Sequence, residues 1–153
     1  MTAVLQRVNS AGVYVSNELV SEIGHGLYIL IGVEQGDTER DASALAEKIA
    51  KLRIFCDEND KMNLSVVDVD GAALVVSNFT LAANYAHGNR PDYLNAEHPK
   101  RAEELYLFFT ERLKERVKHV GTGIFGADMT TRMTTNGPVT IVMHSSVLLG
   151  GKK

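Results

Sequence analysis

The side chains of this sequence that could do chemistry are few, and none forms a familiar catalytic set. Five histidines, His25, His87, His98, His119 and His144, are the natural candidates for acid–base work or metal ligation. No two share the i, i+4 spacing that sets a ligand pair on one helical face. Gly-x-Ser-x-Gly elbows, Walker loops and a Gly-x-Gly-x-x-Gly after a strand are all absent, which argues against a His-based hydrolase, a nucleotide-loop enzyme or a metalloenzyme. Each histidine therefore reads as a surface or hydrogen-bonding group. The single cysteine, Cys56, follows Ile54-Phe55 and reads as a small buried hydrophobe, with no activating pattern nearby.

Two polar segments are more promising. Ser77-Asn78-Phe79-Thr80-Leu81 ends an apolar strand and opens a long polar loop. Hydroxyls and backbone N–H groups at a strand end are the parts that stabilise an oxyanion. The same residues equally suit an ST-turn leaving a sheet. Asn136-Gly137-Pro138 signals a tight turn, and Pro138 withholds a donor from the strand after it. A cis Gly137–Pro138 bond is open at this stage, at a base rate of about 5–6% of X–Pro bonds.

The elements that must position these segments follow from periodicity. Short strands are predicted around Val4–Val8, Val13–Val15 and Leu19–Ile23. Leu27 to Val33 is a continuous apolar run of the kind buried on both faces. Asp37 and Thr38 are N-cap candidates for a helix carrying Ala42, Leu45, Ala46, Ile49 and Leu52. A hairpin is expected from Leu64 to Asn78 about an Asp70-Gly71 turn. Residues 82–98 form a long loop of the functional kind. Pro99 opens a second helix with Ala102, Leu105, Tyr106, Phe109, Leu113 and Val117 on one stripe. Arg112, Lys114, Arg116 and Lys118 near its end, with Lys100 and Arg101 at its start, suggest a local basic patch. Strands from Ala127 to Thr135 and Val139 to Met143 flank Asn136-Gly137-Pro138. Many strands with two main helices, not strictly alternating, indicate an α+β single domain with a curved, antiparallel-rich sheet or barrel. It spans residues 1–147, with 148–153 as a flexible tail.

Composition sets the bounds. A length of 153 residues suits one domain able to bury a full core. Sixteen basic against 19 acidic residues give a net charge of −3, which disfavours broad nucleic-acid binding but allows a local site. One cysteine fits a reducing compartment, hence the cytoplasm. No apolar run approaches a membrane span, and Met1 to Arg7 lacks the order of a signal peptide. No metal and no cofactor is expected.

Taken together, the two polar segments resemble a known family. Ser77 to Ala83, continuing through Gly88-Asn89-Arg90-Pro91, resembles the Ser-Gln-x-Thr-Leu … Gly-x-Arg-Pro motif of D-aminoacyl-tRNA (D-tyrosyl-tRNA) deacylases. Asn136-Gly137-Pro138-Val139-Thr140 resembles that family's Gly-cisPro motif. Gln6-Arg7-Val8, Arg53-Ile54-Phe55, Lys61 to Leu64 and Gly123 to Met129 follow in family order. The resemblance implies a homodimer that hydrolyses the ester of D-aminoacyl-tRNA, with active sites at the subunit interface. One subunit's Gly137-Pro138 carbonyls would enter the other's pocket and reject any L side chain by clash. Glycine has no side chain to clash, so glycyl-tRNA would also be cleaved.

The resemblance further implies roles for single residues. Ser77, Phe79 and Thr80 fall at catalytic positions, with the Phe79 and Thr80 N–H groups and the Thr80 hydroxyl orienting the carbonyl. Phe125 and Met129 fall where the terminal adenine packs, and Arg7 where the Gly-Pro motif is braced. Asn78 counts among the substrate-binding positions, although the family usually has Gln there. Asn84 to His87 replace a stretch often carrying Arg or Lys, and Asp92-Tyr93 replaces a Ser-Phe type pair. On these departures rests the alternative expectation, a catalytically weak module that binds the tRNA acceptor end.

Overall fold

The computed structural model describes residues 1–151. Among these residues eight strands occur: β1 (Thr2–Val15), β2 (Glu18–Ile23), β3 (Gly26–Gly32), β4 (Phe55–Cys56), β5 (Met62–Leu64), β6 (Ala72–Ser77), β7 (Val120–Thr122) and β8 (Thr130–His144). Three helices accompany them: α1 (Glu39–Ala50), α2 (Pro99–Lys114) and a single turn, α3 (Ser145–Leu148). The main sheet runs β2-β1-β3-β6-β7, with β8 on the other side of β1. Pairing to β1 is antiparallel throughout, whereas β3–β6 and β6–β7 are parallel. The α+β class with a curved sheet is as expected, and the sheet is mixed, its antiparallel pairs gathered on β1.

The apolar run behaves as its composition requires. Leu27, Ile29 and Ile31 of β3 enter one core, with Ala42, Leu45 and Ile49 of α1 and Leu105, Phe109 and Leu113 of α2. Tyr28 points to the opposite face, into a second core with Val8, Val13, Leu74 and Val76. Period-two alternation thus divides one strand between two cores, so neither face tolerates charge. Helix α1 starts where Thr38 predicts it. Its N–H donates to the Asp41 carboxylate at 3.0 Å and its hydroxyl at 2.8 Å, a capping arrangement that supplies an acceptor to a free helix-end donor. Pro99 opens α2 as expected.

Several local expectations are corrected. The strands foreseen on either side of Gly12 are one strand, β1, because β8 pairs along nearly its whole length. The hairpin about Asp70-Gly71 does not form. Residues 65–71 are consecutive turns, closed by Val69 N–H to Ser65 O and Gly71 N–H to Val66 O. Val66 is fully buried there, so its apolar character serves the core rather than a strand ladder. Cys56 is exposed rather than buried. The strands around Gly137-Pro138 are likewise continuous as β8. Leu148, assigned above to the tail, ends α3 half-buried against the core, while Lys152 and Lys153 lie outside the described residues.

Candidate functional site

A cleft of about 870 Å³ opens at the end of β6. Its floor comes from β3 and β6 (Tyr28, Leu30, Val76), its walls from Phe125, Met129 and the loop before α2. Two glycines allow this closeness. A Cβ on Gly32 would lie 2.8 Å from the Leu81 Cβ, so only glycine lets the chain after β6 cross β3 there. A Cβ on Gly123 would lie 2.6 Å from the Sδ of Met129, a residue of the cleft wall, so glycine leaves the thioether its space.

After Ser77 the chain forms a 3-10 turn, Phe79–Ala82, with Asn78 as its N-cap. The Asn78 N–H donates to Ile31 O at 2.8 Å and anchors the turn on β3. Its side-chain Oδ1 accepts the Thr80 N–H at 3.1 Å and the Thr80 hydroxyl at 2.5 Å. The Phe79 N–H, first in the turn, has no intrahelical acceptor and no other partner among the described residues. It is an unspent donor on a residue that lines the cleft. The Phe79 ring, 60% exposed, meets Tyr93 edge-on at 5.1 Å.

The cleft floor is largely apolar and carries no charge. Burial raises the Tyr28 phenol above its ordinary value, partly offset by a hydrogen bond with Thr131. Burial likewise pushes Tyr106 up to about 12, and its hydroxyl donates to Val75 O at 2.9 Å. Carboxylate and imidazole appear only in Glu97 and His98, from the loop side. Unfolded tyrosine titrates near pH ~10. A folded value raised to about 12 contributes stability that is complete below the unfolded value and lost as pH rises through the folded one. Tyr106→Phe is therefore expected to flatten the loss of stability across that alkaline window. Urea midpoints of both proteins from neutral pH upward measure it, and parallel curves would refute it.

The structure brings several of the expected residues into one place and leaves others apart. Ser77, Asn78, Phe79, Phe125 and Met129 all line the cleft. Thr80 stands next to it without lining it, its donors turned back to Asn78. Arg7, Gly137 and Pro138 form a separate group. Between the pairs Gln6–Thr140 and Val8–Thr135, Arg7 alone faces four residues of β8. The surplus bulges out, and Arg7 fills the space behind it, 8% exposed. Its guanidinium donates to Asn136 O at 3.3 Å and Ile54 O at 2.7 Å. The Gly137–Pro138 bond at the crest is cis, and both residues are exposed.

Comparison with known proteins decides the family. A family model described as D-Tyr-tRNA(Tyr) deacylase matches residues 4–144. This chain belongs to the D-Tyr-tRNA(Tyr) deacylase family. It is similar to the D-aminoacyl-tRNA deacylase of Persephonella marina, 53% identical over 97% of this chain and 100% of that one. The corresponding enzyme of Cereibacter sphaeroides is 54% identical over 95% of this chain and 100% of its own. The solved structure of a c-Myc DNA Unwinding Element Binding Protein superposes with a TM-score of 0.89 at 39% identity. It covers 94% of this chain and 98% of that one.

Within this deacylase family member, sequence reasoning passed over Tyr28, Tyr93 and Tyr106. Tyr28 was the one hydroxyl in an apolar run, a signal that was available. Tyr106 lies on the helix stripe and looks like core, which it also is. The basic patch on α2 needs correcting. Arg112 pairs with Glu115 at 2.8 Å, Lys114 with Glu111 at 2.7 Å, Lys118 with Asp70 at 2.8 Å and Arg101 with Glu39 at 2.8 Å. These exposed pairs add little stability, yet they cancel the charge that phosphates would meet. Lys100 and Arg116 remain without ion pairs among the described residues. No group of His, Cys, Asp and Glu suited to a metal occurs among those residues, and no helix there is long and apolar enough to cross a membrane.

Proposed function

We propose that the protein hydrolyses the ester joining a D-amino acid to the 3′-terminal adenosine of tRNA. The observation that carries this reading is the unspent Phe79 N–H at the end of an apolar cleft large enough for an aminoacyl-adenosine. Water adds to the ester carbonyl carbon, and the carbonyl π pair moves onto oxygen, where the Phe79 N–H meets it. Collapse expels the ribose 3′ oxygen. The proton from water passes by way of the ribose 2′-OH to that oxygen, leaving free D-amino acid and tRNA. An uncharged cleft floor supports a proton path through the substrate. Phe125 and Met129 hold the adenine by stacking and by the polarizable thioether.

Selection against L-substrates belongs to Gly137 and Pro138. They lie exposed on a braced bulge and do not line the cleft beside Phe79, which suits insertion into the pocket of a second copy. The active form is a homodimer in the cytoplasm, acting in translation quality control. Main-chain atoms placed against the α-carbon exclude every L side chain alike, whereas a side-chain pocket gains only about 1–3 kcal/mol per methylene.

Purified protein is expected to release amino acid from D-aminoacyl-tRNAs of differing side-chain size and from glycyl-tRNA, sparing matched L-substrates. Comparable cleavage of D- and L-esters would refute the selector. Tight acceptor-end binding without turnover would establish the non-catalytic module instead.

A further inference from the structure

Among the described residues the exposed phenylalanine and tyrosine rings are Phe79, Tyr85 and Tyr93, and all three belong to the turn after β6 and the loop that follows it. Phe79, Tyr93 and Leu94 line the cleft, whereas Tyr85, 79% exposed, stands outside it. Phe79 keeps most of its surface free despite its edge-on contact with Tyr93. The loop that carries these rings is pinned. Asn84 and Asp92 exchange backbone hydrogen bonds at 2.8 and 2.9 Å, which sets Tyr85 and Tyr93 each one residue from the same rung. The Asn84 amide donates to the Asp92 carboxylate at 3.0 Å, which also accepts the Leu94 N–H at 3.1 Å. Gln35 donates to Leu94 O at 2.8 Å. Rings on a held backbone lose little freedom when something binds them.

Charge at this rim points the same way. Those bonds occupy the Asp92 carboxylate, and Arg90 at the loop tip and Lys100 at the start of α2 form no ion pair among the described residues. The other wall, from Ile124 to Met129, carries Asp128 as its one charge. Uncovered rings beside unpaired cations, in a chain of net charge −3, fit a flexible polyanion that bears flat apolar groups. Single-stranded RNA is such a ligand. A tRNA joined to the cleft by its terminal adenosine must leave through the unpaired nucleotides before it. We propose that Phe79, Tyr85 and Tyr93, with Arg90 and Lys100, bind those unpaired nucleotides, bases on the rings and phosphates on the cations. This rests on the deacylase reading above and extends recognition beyond the ester and its adenosine.

Substrates of graded length test it: one D-amino acid esterified to adenosine, to the trinucleotide CCA and to whole tRNA, with kcat and KM measured separately. The wild type is expected to show a KM for the trinucleotide ester about tenfold or more below that for the adenosine ester. Its kcat should be similar on both, because binding shared by ground and transition states lowers KM alone. Y85A removes an exposed ring from outside the cleft. It is expected to raise KM for the trinucleotide and tRNA esters about tenfold, on the order of one lost base–ring stack, with kcat within about twofold. The adenosine ester, too short to reach Tyr85, is the internal control, and Y85F restores the stack. R90Q is expected to reduce the salt slope of log KM on tRNA by about 0.7, one phosphate contact to a single strand. Equal KM for adenosine and trinucleotide esters would overturn the proposal, as would Y85A losses that are absent or equal on both. A wild type that cleaves none of the three D-esters would overturn the deacylase reading itself, and this inference with it.

Discussion

Phe79→Pro is expected to lower kcat for D-aminoacyl-tRNA about 10²–10³-fold, the cost of one oxyanion donor, while leaving the fold intact. Position 79 is unusual in tolerating proline. It is the first residue of its turn, where the N–H has no intrahelical acceptor and a ring preset near φ −65° fits. Asn78 before it is extended, at φ −148° and ψ 94°, broadly the conformation a residue preceding proline adopts. Proline also deletes an aromatic ring that packs on Tyr93 at 5.1 Å, so Phe79→Ala is the reference. Alanine loses the ring and keeps the donor. Single-turnover rates of the two variants isolate the N–H, and equal rates would place oxyanion stabilisation elsewhere.

Gly137→Ala is expected to abolish most D-activity, at least tenfold in kcat/KM, and to weaken rejection of L-substrates. Two penalties combine at this position. Gly137 has φ +124°, a region L side chains rarely adopt, and its Cβ would lie 2.7 Å from the Val139 backbone nitrogen. Backbone cannot yield as a flexible side chain can, so the bulge must move, and Arg7 Nη2, 3.4 Å from the new atom, moves with it. Gly150→Ala serves as the control. Gly150 has φ +80° with nothing within 4 Å of a Cβ, so it carries backbone strain of about 1–2 kcal/mol alone. Matched melting and D/L deacylation measurements on both variants separate strain from displacement. A Gly137→Ala protein with wild-type rates and selectivity would exclude the bulge from the mechanism.

Much of the fold was legible because it rests on local patterns. The stripe Ala42, Leu45, Ala46, Ile49 determines α1 and the face it buries. Thr38 and Pro99 mark helix starts by supplying or forgoing hydrogen bonds at free helix ends. The unbroken run 27–33 announces a strand covered on both faces, and its alternation assigns each residue to one core or the other. The hairpin about Asp70-Gly71 failed for a physical reason. Alternating apolar residues say that a segment is half-buried, not what it pairs with. Val66 found its burial in a turn, and β6 took parallel partners from distant segments.

By itself the sequence determined the family, the α+β class, two main helices and the strand-end and Gly-Pro segments. Residue types suited to particular backbone geometries leave a local mark. Tertiary structure alone decided that Ser77, Asn78 and Phe79 share a cleft with Phe125 and Met129. It also decided that Arg7 packs behind the bulge of β8, and that acidic neighbours neutralise most of the α2 cations. Each of these depends on a contact between segments tens of residues apart. The same holds for the donors at the turn, since a motif records that Thr80 has an N–H and a hydroxyl but not where they point. Only the folded turn, anchored on β3 through the glycine gap at position 32, directs both to Asn78 and leaves the Phe79 N–H unspent, because hydrogen-bond direction depends on backbone angles that packing sets.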